Sequence, residues 1–122
     1  MTAKIGLIGG TGPQGQGIAL RFGLAGEKIN LGSRQEEKGK RIAQELNEKI
    51  GKDMIIGMEN SQAVAESDIV LLTIPISKDP ENAEKWLVEF VQSFNDVLKP
   101  GTIFVDVTVP LVFEKGFVGL HT

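Results

Sequence analysis

The chain has 122 residues, 41% of them hydrophobic and 24% charged, with a net charge of −3 and a sequence pI of about 5.2. That length makes one domain able to bury roughly two-thirds of its unfolded surface. The acidic balance without a Lys/Arg cluster argues against a nucleic-acid binder, and no apolar run approaches the roughly 18 residues that span a bilayer.

Cysteine is absent, which excludes disulfides, thiolate catalysis and cysteine zinc sites, and His121 as the one histidine argues against a histidine metal site. Met1-Thr2-Ala3-Lys4 lacks the charged start, apolar centre and cleavage site of a secretory signal, so a cytoplasmic location is the expectation. Glycine is the unusual feature. There are 15, roughly twice the average share, and six of them fall between Gly6 and Gly17.

In chain order, Ile5 to Ile8 is a short apolar run ending in glycines and reads as a buried strand. Ile18, Ala19, Leu20, Phe22 and Leu24 suit a buried helix, and Ile29 to Leu31 a second strand. Ile42, Ala43, Leu46 and Ile50 recur at helical spacing among charges. Met54 to Met58 predicts a third strand. A short helix follows from Ser61 to Ala65, with Asn60 or Ser61 as its cap. Ile69 to Ile74 is nearly all apolar and suits a central strand covered on both faces. Asp79-Pro80 reads as a cap and a first helical residue. Trp86, Leu87, Phe90, Val91, Phe94, Val97 and Leu98 then form an amphipathic stripe ended by Pro100-Gly101. Ile103 to Val107 is a fifth strand. Nothing after Pro110 is periodic enough to assign. Strands alternating with helices imply parallel pairing with right-handed crossovers. The expected fold is therefore a doubly wound α/β sheet in order 3-2-1-4-5, a single dinucleotide-binding domain over residues 1–122.

The motif Gly10-Thr11-Gly12-Pro13-Gln14-Gly15 follows the first strand and opens the first helix. In a phosphate-binding turn the first glycine permits the tight bend, the second lets a pyrophosphate approach the backbone, and the third lets the helix pack against the strand. Free N–H groups and the helix dipole then favour the anion, with Thr11 and Gln14 as side-chain donors. Glycines that merely shape a turn are the alternative. The strand before the motif and the helix after it favour the dinucleotide.

An acid usually ends the second strand of an NAD-binding domain and holds the ribose 2′-hydroxyl. Here the run is Asn30-Leu31-Gly32-Ser33-Arg34, and no acid precedes Arg34. The Arg34 fork and the Ser33 hydroxyl suit the 2′-phosphate of NADP(H) instead, with Lys38 one helical turn beyond. The competing reading is a solvated helix start in which Arg34 and Lys38 pair with Glu36 and Glu37.

Ligands of open α/β sheets lie outside the carboxyl ends of the strands. Thr73, Ile74 and Pro75 end the fourth strand and are candidate cofactor contacts, with Thr73 bonding ribose or pyrophosphate and Ile74 and Pro75 packing on the nicotinamide. The Val107-Thr108-Val109-Pro110 loop ends the fifth strand beside them. Trp86 falls in the apolar stripe and reads as core. No catalytic dyad, serine elbow or tyrosine is present, so no catalytic residue is nominated. Hydride transfer between two redox cofactors needs position and electrostatics rather than a protein acid.

Gly9-Gly10-Thr11-Gly12-Pro13-Gln14-Gly15, Gly32-Ser33-Arg34, Glu36-Glu37-Lys38, Gly57-Met58-Glu59-Asn60 and Leu72-Thr73-Ile74-Pro75, in that order, resemble the NADP-dependent reductases of the 8-hydroxy-5-deazaflavin coenzyme, coenzyme F(420). The resemblance implies hydride exchange between NADP(H) and the deazaflavin, without a metal. It implies NADP(H) contacts at Thr11, Gly12, Gln14, Ser33, Arg34, Lys38, Ile74 and Pro75. It also places Gly119-Leu120-His121-Thr122 near the deazaflavin, with His121 as the candidate second-substrate contact. Gln35 departs from the family pattern, which often has a second basic residue there. Such enzymes also continue into a smaller second domain, which this chain is expected to lack. The expected partners are a small-molecule redox coenzyme and a second copy of the chain, not nucleic acid or a membrane. Two other readings stand beside this one: a non-catalytic NADP(H)-binding or sensing module, and the N-terminal part of another NADPH-dependent dehydrogenase.

Overall fold

A computed structural model of the protein describes residues 3–74, 83–107, 111–114 and 117–120. The chain runs β1 (Ile5–Ile8), α1 (Pro13–Leu24), β2 (Ile29–Ser33), α2 (Glu36–Ile50), β3 (Ile55–Glu59), α3 (Asn60–Ala65), β4 (Ile69–Leu72), α4 (Ala83–Gln92) and β5 (Ile103–Asp106). Two short strands follow, β6 (Leu111–Glu114) and β7 (Phe117–Leu120). β1 to β5 form one parallel sheet in the order β3-β2-β1-β4-β5, as the alternation of strand and helix predicts. β6 and β7 pair antiparallel, Leu111 opposite Leu120. Their four-residue length is too short for a clear alternation, although the β-branched and aromatic content suits strands.

β1 lies at the centre of the sheet, and all four of its residues are buried. It separates two apolar clusters. Ile5, Leu7, Ile29, Leu31 and Ile55 pack with Ala19 of α1 and Ile42, Ala43 and Leu46 of α2. Ile8, Met58, Val70, Leu72 and Ile74 pack with Ala63 and Val64 of α3 and with Phe94.

α1 is buried along Gly15, Ala19 and Gly23, while Leu24 is 62% exposed. The large residues expected to bury this helix therefore lie beside its contact line, and the line itself is made of the smallest side chains. The reason is proximity. A Cβ on Gly15 would lie 2.5 Å from the Gly10 Cα, and one on Gly23 would lie 2.4 Å from Ile50 Cδ1. α2 meets β3 in the same way, because a Cβ on Gly57 would lie 2.2 Å from the carbonyl carbon of Gly39. Asn47 fastens the other end of α2. Its Nδ2 donates to the Ile55 carbonyl at 2.8 Å, and its Oδ1 accepts the Met54 and Ile55 N–H groups at 2.9 and 2.8 Å. Gly51, at φ +83°, closes α2 in the left-handed cap that glycine favours.

Several boundaries differ from expectation. β3 runs Ile55–Glu59, one residue later at each end. β4 ends at Leu72, and β5 at Asp106 on the sheet edge. The cap position of α3 is Glu59, with Asn60 the first helical residue and no side-chain cap bond. α4 ends at Gln92 rather than at Pro100-Gly101. The Ser93 hydroxyl donates to the Phe90 carbonyl, and the Phe94, Asn95 and Val97 N–H groups then bond three residues back. A hydroxyl returning to the backbone in this way competes with helical continuation. Phe94 still reaches the core and meets Phe90 edge-on at 5.1 Å. The Asp79-Pro80 start and the Trp86 side chain lie outside the described residues.

Two glycine substitutions should move stability in opposite directions. Gly57→Ala has to displace the backbone of α2 and is expected to cost about 1–3 kcal/mol. Gly17→Ala meets none of the described residues within 4 Å at an exposed helical position and should stabilise by roughly 0.5–1 kcal/mol. Urea unfolding midpoints of the two variants would check both signs.

Candidate functional site

The carboxyl ends of β1, β2 and β4 meet where the strand order reverses, and a cleft of about 790 Å³ opens there. Gly9, Thr11, Gly12, Ser33, Arg34, Gln35, Lys38, Asn60, Ile74 and Phe90 line it. That volume is within the range of roughly 300–1,000 Å³ common to ligand pockets.

Each glycine of the turn has a distinct neighbourhood. Gly10 is closed by Leu31, whose Cδ1 would lie 2.4 Å from an added Cβ, and Gly15 is closed by the Gly10 backbone. Among the described residues an added Cβ at Gly12 would find only the Gly9 carbonyl oxygen, 3.7 Å away. Protein packing therefore forces the first and third glycines, whereas no described residue crowds the second. That is the arrangement a ligand phosphate requires. Gly12 is also the cap residue of α1 and makes no side-chain cap bond, with Pro13 following as first helical residue. The early N–H groups of a helix have no intrahelical acceptor, and its dipole favours an anion there. Proline gives up only an N–H that would be orphaned in any case.

The loop is held at several points. Gly10 N–H donates to the Gly32 carbonyl at 2.9 Å, and Gly12 N–H to the Gly9 carbonyl at 3.3 Å. Gln16 Nε2 donates to the Thr11 carbonyl at 2.7 Å. Gln14 is exposed and Gln16 braces the loop, so the structural glutamine is two residues beyond the one singled out from the motif.

Ser33 is 3% exposed, and its Oγ accepts the Gln35 N–H at 3.3 Å. Its own O–H remains able to donate. Arg34 and Lys38 are exposed, and among the described residues neither forms an ion pair with Glu36 or Glu37. Glu36 pairs instead with Lys40 at 3.2 Å. The pairing with Glu36 or Glu37 is thus not formed, and both cations line the cleft.

Of the nominated residues, Thr11, Gly12, Ser33, Arg34, Lys38 and Ile74 line one space. Gly10 and Gly15 support it from behind, while Pro13 and Gln14 are exposed at the helix start. Thr73 turns inward: it is 3% exposed, and its Oγ donates to the Ile8 carbonyl at 2.7 Å. Pro75 and His121 lie outside the described residues. Asn60 and Phe90 line the cleft without having been nominated. Asn60 reads in sequence as a cap and Phe90 as one more member of an apolar stripe. Among the described residues no group of His, Cys, Asp and Glu can hold a metal ion, and no helix is long and apolar enough to cross a membrane.

A parallel sheet in this order, with a glycine turn at its switch point, defines a Rossmann-type domain. Lactate dehydrogenase from Eimeria maxima, solved with NADH and oxamate, shares the fold with a TM-score of 0.75 at 18% identity, over 89% of this chain and 36% of that one. The sequence model of the family "NADP oxidoreductase, coenzyme F(420)-dependent" matches residues 4–110, and the chain belongs to that family. The F(420)-dependent NADP reductase of Methanothermobacter thermautotrophicus is 38% identical over 91% of this chain and 45% of its own length. That of Methanocaldococcus jannaschii is 36% identical over 93% of this chain and 48% of its own. The chain thus spans less than half the length of either relative.

Thr73→Val keeps the shape and removes the hydroxyl, while the Ile8 carbonyl retains the Thr73 N–H at 2.9 Å. The variant should lose about 1 kcal/mol of stability and keep its nucleotide affinity within about two-fold of wild type. Thermal melts beside calorimetric titrations would check this. A clear loss of affinity would return Thr73 to the binding surface.

Proposed function

We propose that this chain binds NADP(H) in the cleft and forms the nucleotide-holding part of an oxidoreductase that exchanges a hydride with the deazaflavin coenzyme F(420). One observation carries the reading: Ser33, Arg34 and Lys38 line the same cleft as Thr11 and Gly12. A site for one phosphate thus lies within reach of a site for two more. The family membership and the names of the two reductases support the choice of cofactor and acceptor.

The chain's own groups divide the work. The start of α1 takes the pyrophosphate through its N–H groups and dipole, and the missing Cβ of Gly12 leaves room for it. The Ser33 hydroxyl donates to the 2′-phosphate, Arg34 grips it with two parallel N–H groups, and Lys38 adds a point charge. Ile74 and Phe90 supply apolar wall, and Pro75, next in the sequence, is the further proposed contact. Bound NADPH supplies a hydride and leaves as NADP⁺, while the oxidised deazaflavin gains that hydride and one proton from water. No protein acid is needed at the reacting atoms, so position and exclusion of water are the protein's contribution. On this reading residues 1–122 are a single dinucleotide-binding domain, with His121 on the deazaflavin side. The deazaflavin pocket is completed by a second body, either a further domain or a second copy of the chain. The setting is the cytoplasm.

A charge-assisted hydrogen bond contributes about 1.5–3 kcal/mol, or roughly ten- to a hundred-fold in affinity. Calorimetric titration should therefore give NADPH binding at least about ten-fold tighter than NADH. Arg34→Ala should remove most of that preference and leave NADH within about two-fold. Equal affinities in the wild type would overturn the 2′-phosphate assignment. Adding oxidised coenzyme F(420) to the NADPH complex should bleach the deazaflavin absorbance. Tight NADPH binding with no bleaching at any pH would favour the non-catalytic binding module.

A further inference from the structure

Asn60 is the first residue of α3, is 7% exposed, and lines the cleft. Its Oδ1 accepts the Gly9 N–H at 3.1 Å, across 51 residues of sequence. We propose that Asn60 is a positioning residue for the dinucleotide: its carboxamide sets the Gly9 peptide, and through it the glycine loop that receives the pyrophosphate. The inference rests on the NADP(H) reading above.

Gly9 is the hinge of the turn. It has φ +71°, a conformation that side-chain-bearing residues rarely adopt. The place of its missing Cβ is filled by Ile74 Cγ2, which would lie 2.2 Å away. Steric packing thus restrains Gly9 on that side, and the Asn60 bond fixes the orientation of its peptide. The next peptide is linked to that one by the φ of Gly9, and its carbonyl, that of Gly9, accepts the Gly12 N–H at 3.3 Å. Asn60 also reaches the neighbouring strand. A Cβ on Gly32 would lie 2.7 Å from Asn60 Oδ1, and the Gly32 carbonyl accepts the Gly10 N–H at 2.9 Å. One side chain therefore packs against the ends of both β1 and β2, which carry the two halves of the proposed nucleotide site.

Gln16 steadies the far end of the loop from within α1, whereas Asn60 steadies the near end from a different helix. The base of Asn60 is firm, since Ala63 and Val64 of α3 are 0% exposed. A backbone N–H needs an acceptor, so the carboxamide oxygen faces Gly9 and Nδ2 points away. Among the described residues no buried side-chain nitrogen or oxygen lacks a partner.

The test compares NADPH with 2′-AMP, which engages the Ser33 and Arg34 side but has no pyrophosphate, and adds amide hydrogen exchange in the ligand-free chain. In Asn60→Ala, NADPH affinity should fall about ten-fold, 2′-AMP should stay within about two-fold, and Gly9 N–H exchange should speed up by about ten-fold or more. Asn60→Asp keeps the acceptor and should restore Gly9 protection. Unchanged NADPH affinity in folded Asn60→Ala, or equal losses for both ligands, would overturn the proposal. So would loss of Gly9 protection in Asn60→Asp, which also decides the matter if the alanine variant does not fold. A wild-type chain that binds no NADPH would instead overturn the functional reading, and Gly9 exchange would still decide whether Asn60 sets the loop.

Discussion

Helix α1 sits so close to the end of β1 that a Cβ on Gly15 would meet the Gly10 Cα at 2.5 Å and its carbonyl oxygen at 2.7 Å. Backbone lies against backbone there, with no side chain to yield. Most of the site's geometry depends on that approach. It brings the start of α1 to the carboxyl end of the central strand, where the helix dipole and uncapped N–H groups meet the cleft. It makes small residues obligatory along Gly15, Ala19 and Gly23, and it leaves the loop between Gly10 and Gly15 little slack. α2 repeats the device at Gly39 and Gly57, so the helix that carries Lys38 is set by main-chain contact with β3.

The rest of the domain holds these two helices and the strand ends in register. The cluster around Leu7 and Leu31 joins β1 and β2 to α1 and α2, and that around Val70 and Leu72 joins β4 to α3. Polar side chains complete the framework. Thr73 ties β4 to β1, Asn47 ties α2 to β3, and Asn60 ties α3 to the glycine turn. Each of these bonds joins a side chain to backbone elsewhere in the fold. A buried polar group without a partner would cost more than the made bond contributes, so such bonds specify arrangement more than they add stability.

The parallel sheet was readable because strands buried on both faces are uniformly apolar and helices between them are periodic. The glycine turn, Ser33 and Arg34 could be nominated because their spacing is tied to a known chemistry, and the structure brings them to one cleft. What escaped has a common cause, since the direction of a side chain is not written in its type. Thr73 sits at the right strand end but turns its hydroxyl inward. Asn60 resembles a helix cap but spends its oxygen on Gly9. Phe90 belongs to a stripe whose periodicity runs on through Leu98, and nothing in that pattern marks which member faces the cleft or that Ser93 ends the helix. α1 misled in the opposite sense: large apolar residues at helical spacing attracted attention, while glycine and alanine made the contact.

The contrast between Gly12 and its two partners carries a consequence for inheritance. Gly10 and Gly15 are enforced by the protein's own atoms, so a replacement there damages folding, and the damaged chain is exposed to cellular proteolysis. No described residue crowds the missing Cβ of Gly12, and its φ of −76° suits any residue. A lineage that acquired a side chain there would keep a well-folded, abundant protein while its proposed nucleotide site filled in. Selection on abundance alone would pass such a chain, and only selection on what it binds would retain the glycine.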